Sequence, residues 1–167
     1  MTARSSSFDD VLAANAVYAG QFRSAGLEAR AAKGLGVLTC MDSRIDPLGM
    51  LGLVPGDAKI LRNAGARVTD DVLRTLVLAS YLLGVERMMV VAHTSCRMAD
   101  TTEAEVHQAV LDAGGPDTRS MSFLTADDQH EALREDVQRI RSSPFLSHVV
   151  VGGFLLDLET GRLDSIC

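Results

Sequence analysis

Gly36-Val37-Leu38-Thr39-Cys40-Met41-Asp42-Ser43-Arg44 and Met88-Met89-Val90-Val91-Ala92-His93-Thr94-Ser95-Cys96 decide the fold. Each is an apolar run that stops at polar, reactive side chains. A run with no polar alternation is how a strand reads when both of its faces are buried, as in the centre of a parallel sheet. Open parallel sheets collect their functional groups at strand carboxyl ends. Set side by side, these two strands bring Cys40 to His93 and Cys96, with Asp42 and Arg44 beside them.

The segment between them has the spacing of a βαβ unit. Ala58–Leu61 reads as another strand, introduced by the turn Pro55-Gly56-Asp57 and followed by Arg62-Asn63-Ala64-Gly65. Pro47 can open a short helix through Leu51. Thr69 is an N-cap, and Asp70 and Asp71 favour the positive end of the helix it starts. Val72, Leu73, Leu76, Val77, Ser80 and Leu83 form its inward stripe, and Gly84 ends it. A right-handed crossover and parallel pairing follow.

Further along, Asp100–Leu111 is predicted helical, with Thr101 or Thr102 near its start, and Gly114-Gly115-Pro116 breaks it. Residues 117–126 carry no clear pattern. Asp127–Ile140 is helical with Leu133, Val137 and Ile140 inward. Val149–Leu158 is a strong strand whose Gly152-Gly153 pair marks a bend or a close backbone approach. Leu163–Ile166 returns as a short edge strand. Before the sheet, Met1–Ser7 is polar and loose, and Phe8–Phe22 is a helix that Ser7 could cap. Residues 1–33 thus read as an N-terminal helical arm and 34–167 as an α/β body, within one domain. The arm could pack on its own body or on a second subunit.

The totals set outer limits. With 22 acidic and 16 basic residues the net charge is −6, against the basic surface that non-specific nucleic-acid binding needs. No stretch is apolar for long enough to span a bilayer, and the first thirty residues lack a signal-peptide core. Three cysteines make no closed disulfide set, which points to a reducing, cytoplasmic compartment.

Two thiols and one imidazole are a donor set for zinc, and a site with three protein ligands leaves one exchangeable position. His93-x-x-Cys96 can wrap one ion, and the fold supplies Cys40. Spacing alone leaves zinc level with a plainer arrangement, two buried cysteines beside a strand-end histidine. Asp42 has two possible roles. It can be a fourth ligand that closes the site, or it can pair with Arg44 and leave that position to water. As an ordinary surface pair, Asp42 and Arg44 would do little.

Cys40-Met41-Asp42-Ser43-Arg44, Arg62-Asn63-Ala64-Gly65 and His93-Thr94-Ser95-Cys96 together resemble the β-class carbonic anhydrases, above all the short actinobacterial members, over residues 9 to 163. The resemblance implies that Cys40, His93 and Cys96 ligate Zn2+ and that Asp42 and Arg44 form the catalytic dyad. It implies reversible hydration of carbon dioxide to bicarbonate and a proton by hydroxide held on zinc. It also implies a mostly parallel sheet in order 2-1-3-4 with an antiparallel edge strand, in a homodimer or a dimer of dimers, with the N-terminal helix crossing to the partner.

Some positions depart from the family or stay open. Arg97 stands where the family has glycine, and it fits only with negative φ. The substrate pocket is expected to be aliphatic, drawing on residues such as Val68 and Leu73, and Arg62 is read as a structural or interface ion-pair former. His107 and His130 are expected to be solvated, and His148 to precede a core strand. Cys167 is incidental or an extra thiol. The competing readings are a catalytically silent zinc-binding homologue and a thiol-redox protein using Cys40 and Cys96. The second lacks Cys-x-x-Cys.

Overall fold

The computed structural model describes residues 7–167, so the polar lead lies outside them apart from Ser7. A first helix α1 (Asp9–Gly20) precedes strand β1 (Leu35–Cys40), strand β2 (Ala58–Asn63), helix α2 (Asp70–Leu82) and strand β3 (Arg87–His93). Helices α3 (Glu103–Asp112) and α4 (Gln129–Arg141) follow, then strands β4 (Val150–Leu156) and β5 (Leu163–Ser165). The sheet order is β2-β1-β3-β4-β5, the predicted order, with β5 alone antiparallel.

β1 lies between β2 and β3, and all six of its residues are buried. This is why its sequence shows no alternation. Successive side chains point to opposite faces, so Val37 and Leu38 serve different layers. Leu38, Val90, Val72, Leu76, Val137 and Ile140 pack on the face covered by α2 and α4. Val37, Leu35, Val91 and Leu156 pack on the other, with Cys40 and Cys96 at its edge. Each fully buried aliphatic side chain stabilises the fold by roughly 1.5–3 kcal/mol, so β1 and β3 are the best-secured part of the chain.

Thr69 caps α2 through Val72 N–H, as expected. Its buried stripe is narrower than predicted: Val72, Leu76 and Ala79 are buried, while Leu73, Val77, Ser80 and Leu83 are only half-buried. Ala79 is small enough to let the helix end close on Ala31 and Val85. α3 begins later than predicted because Thr102 and Glu105 form a reciprocal capping box. Asp128 caps α4 by accepting from the His130 and Glu131 N–H groups. At Gly153 a Cβ would lie 2.7 Å from Cys167 Sγ and 3.0 Å from Val137, so the glycine pair marks a close approach.

The Ser7 cap is not formed. Phe8 is the N-cap of α1, and its carbonyl accepts from Leu12 N–H. No residue of α1 is buried, and Val11, Leu12, Val17 and Tyr18 are exposed. No helix among the described residues is long and apolar enough to cross a membrane.

Candidate metal centre

Cys40 is the last residue of β1 and His93 the last of β3. Cys96 follows in a turn where Ser95 adopts φ 52°. Both strands run in the same direction side by side, so their ends deliver the side chains to one place. Ligand atoms of Cys40, His93 and Cys96 lie within 4.8 Å of one another, and all three residues are buried. Buried soft donors at this separation suit a single divalent ion.

The histidine is oriented for that task. Its Nδ1 lies 2.9 Å from the Thr94 carbonyl, which only accepts, so Nδ1 carries the proton and Nε2 the lone pair. Nε2 is buried and has no hydrogen-bond partner among the described residues. An orphaned buried acceptor costs about 1–3 kcal/mol, and a metal at the cluster would satisfy it. The His93 carbonyl is held from α4 by Gln129 Nε2 at 2.9 Å.

The two thiols act as a pair. The neighbouring Cys96 thiol pushes the Cys40 pKa far down although burial opposes the shift. The same pairing, together with burial, pushes the Cys96 thiol up. Of the two sulfurs Cys40 is the more readily ionised, and metal binding has to displace the proton from Cys96. Burial opposes a charge on His93, but Cys40, the Thr94 carbonyl and Asp42 together outweigh it and raise the imidazole pKa. The donor set fits Zn2+, which takes thiolate and imidazole together.

Asp42 and Arg44 sit just beyond β1 in a two-point bond. Arg44 Nε meets Asp42 Oδ1 at 2.9 Å, and Nη2 meets Oδ2 at 2.7 Å. Arg44 N–H adds a third bond to Oδ1 at 2.9 Å, and Nη2 also reaches the Ser95 carbonyl at 3.0 Å. These bonds hold the Asp42 carboxyl well below the usual carboxylate range. Asp42 is outside the donor cluster. Of its two possible arrangements, this structure has the one in which Arg44 engages the carboxylate.

Arg62 pairs with no carboxylate among the described residues of this chain. It spends its guanidinium on backbone carbonyls: Cys40 at 2.9 Å, Asp42 at 2.6 Å and Ile45 at 3.3 Å. It therefore shapes the turn that carries Asp42. Val68 and Leu73 do not line the cluster; Val68 is buried in the core with Leu73 packed beside it. The small space behind Cys96 is lined by Ala66, Ala92, Met98, Leu124 and Leu133 on one part of its wall and by Arg67, Gln129 and Asp136 on another, so it is only partly aliphatic. A broad surface depression lined by Arg30, Lys33, Asp57 and Glu86 opens at the opposite, amino-terminal ends of the strands.

Arg97 is exposed, and the positive φ of the turn falls on Ser95 instead, so no glycine is needed at 97. His107 is not solvated: its Nδ1 lies 2.9 Å from Thr118 Oγ1, and its ring packs on Phe123. His130 is exposed, and His148 is exposed beside Tyr81. Cys167 packs at Gly153, apart from the cluster. The sequence reading missed Asp136, which is buried on α4 and accepts from Arg67 Nε at 2.6 Å and Val68 N–H at 3.1 Å. Its place on the Leu133/Val137/Ile140 stripe was the available clue, since a charge among core positions needs a partner.

A family model for carbonic anhydrase matches residues 35–163. The chain is 36% identical to β-carbonic anhydrase 1 of Mycobacterium tuberculosis over 161 residues, covering 95% of this chain and 96% of the relative. It is 30% identical to a carbon disulfide hydrolase of Acidithiobacillus thiooxidans, covering 77% and 75% of the two chains. The crystal structure of a carbonic anhydrase from Streptococcus mutans superposes with a TM-score of 0.91 at 36% identity, covering 98% of this chain and 99% of that one. With a Cys40–His93–Cys96 cluster that matches the family's zinc-coordinating residues, and with likeness over nearly its whole length, the chain belongs to the β-class carbonic anhydrases.

Proposed function

We propose that this enzyme hydrates carbon dioxide reversibly to bicarbonate and a proton, with Cys40, His93 and Cys96 holding zinc and Asp42 and Arg44 as its catalytic pair. The observation that carries the reading is the division of labour at the strand ends. Three buried donors converge, while the nearest carboxylate is tied to a guanidinium. Zinc, when bound, supplies the Lewis acid that makes water a nucleophile near neutral pH.

The chain's own residues do the rest. Ionised Asp42 is an acceptor only, so it takes a hydrogen bond from the reacting water and points its lone pair at the substrate. Arg44 fixes the carboxylate plane at two points, which keeps it from ligating the metal. Arg62 holds the turn beneath it.

Stopped-flow hydration assays on protein of measured zinc content test this. One zinc per chain with hydration well above the buffer rate is expected. Folded, zinc-replete protein that hydrates no carbon dioxide would overturn it and favour a silent homologue. Turnover of carbon disulfide in its place would reassign the substrate.

We place residues 1–33 as an arm whose apolar α1 seats on a second copy, giving a homodimer or a dimer of dimers. The exposure of Val11, Leu12, Val17 and Tyr18 supports this. Sedimentation of Leu12→Asp should show a smaller species than the unaltered protein. Three free cysteines, two needed as thiolates, suit a cytoplasmic location.

A further inference from the structure

We infer that Asn63 is a positioning residue for the metal centre: its side chain closes residues 63–67 into a loop that aims the Gly65 N–H at Cys40 Sγ. Asn63 ends β2 directly opposite Cys40 in the parallel register. Both polar atoms of its amide are spent on one residue. Nδ2 donates to the Arg67 carbonyl at 2.7 Å, and Oδ1 accepts from the Arg67 N–H at 2.9 Å. The loop so closed presents the Gly65 N–H to Cys40 Sγ at 3.4 Å.

The loop would not hold this shape unaided. Gly65 has φ 73° and Ala66 has φ 58°. A non-glycine residue in the left-handed region costs about 1–2 kcal/mol, so surrounding contacts must impose it. Asn63 imposes it from the strand side. Asp136 and the Leu124 carbonyl grip the Arg67 side chain from the far side. Met98 leaves no slack, since a Cβ at Gly65 would lie 3.1 Å from its own Cβ.

An N–H directed at a thiolate draws off part of the sulfur's negative charge and fixes the direction of its remaining lone pairs. Asn63 therefore acts on the metal through Gly65 and Cys40 without touching it. Arg67 stays anchored by Asp136 when Asn63 is truncated, so the loop loosens while the fold is kept.

The inference rests on the zinc reading, and the test separates the two. Zinc transfer to a chelator is timed for the unaltered protein, Asn63→Ala and Asn63→Asp. The sulfur-to-metal charge-transfer band is recorded after cobalt substitution, and circular dichroism checks the fold. Outer-shell losses of this kind cost roughly 10–100-fold in metal affinity. Zinc release about 10-fold faster in Asn63→Ala, with a displaced cobalt band and unchanged secondary structure, is expected. Asn63→Asp keeps the acceptor for Arg67 N–H but loses the donor, so it serves if the alanine variant does not fold, with the same direction of change. Release rates and bands equal to the unaltered protein in the folded variants would overturn the role of Asn63 alone. Unaltered protein that takes up neither zinc nor cobalt would overturn the zinc reading and this inference with it.

Discussion

Replacing Asp136 by asparagine should cost the protein about 3 kcal/mol. Asp136 is 5% exposed on α4, in a stripe otherwise made of Leu133, Val137 and Ile140. It meets the Arg67 guanidinium at 2.6 Å, and the Arg67 side chain is itself only 15% exposed. Asparagine keeps the shape and can still accept from Val68 N–H, so the change isolates the charge. Removing one partner of a buried pair costs about 3–5 kcal/mol because the other charge is left stranded. Arg67 keeps the Leu124 carbonyl and a little solvent, which puts the expected loss at the low end, about 3 kcal/mol. Domains of this kind are stable by about 5–15 kcal/mol, so the effect is large. Urea unfolding of the metal-free protein at fixed concentration measures it, since bound zinc and self-association would both add apparent stability. The midpoint should fall by about 1–2 M. A loss under about 1 kcal/mol, the worth of an exposed pair, would refute the reasoning. Replacing both partners by apolar residues should recover much of the loss.

Three further outcomes follow from the site and its surroundings. Arg44→Ala frees the Asp42 carboxylate from its two side-chain bonds, so Asp42 should become a fourth metal ligand and hydration should fall about 10–100-fold; a neutral-pH crystal structure with water on the metal and Asp42 detached would contradict this. Glu103 accepts from Phe123 N–H at 3.0 Å and Thr125 N–H at 3.2 Å, bonds that favour its charged form and lower its pKa in the folded state. A lowered carboxyl contributes stability above its unfolded value, about 4.3, and loses it as pH falls through the folded one. Amide exchange at Phe123 and Thr125, corrected for intrinsic rates, should therefore rise on acidification below about pH 4, and a Glu103→Gln variant should show the faster exchange already at neutral pH. Stripping the metal should lower Tm, and zinc at a hundred times its Kd should restore about 2.7 kcal/mol; a melting curve indifferent to zinc would count against the site.

The parts of this molecule that could be read in advance are those whose chemistry is local. β1 and β3 are legible because a strand buried on both faces has to be continuously apolar, and their polar ends mark where the sheet stops. The three donors are legible because Cys40 ends one such strand and His93-x-x-Cys96 ends its neighbour. The carbonyl partners of Arg62 were not legible because a guanidinium that binds carbonyls has no sequence mark: its partners are backbone atoms, which every residue has. His107 was misread for a related reason. Its helix looks polar, and only the return of residues 117–126 across α3 supplies Thr118 and Phe123 to cover it. Ser7 lost the cap because the helix starts one residue later than its composition alone requires.

Two of the three metal donors are welded into the sheet. Cys40 belongs to the rung it shares with Asn63, and His93 to the rung it shares with Leu156, so neither backbone can retreat without tearing paired strands. Cys96 belongs to no rung and hangs on a turn beyond the sheet. That turn is therefore the door of the centre: backbone motion that opens the donor cage while sparing the sheet has to begin at Cys96.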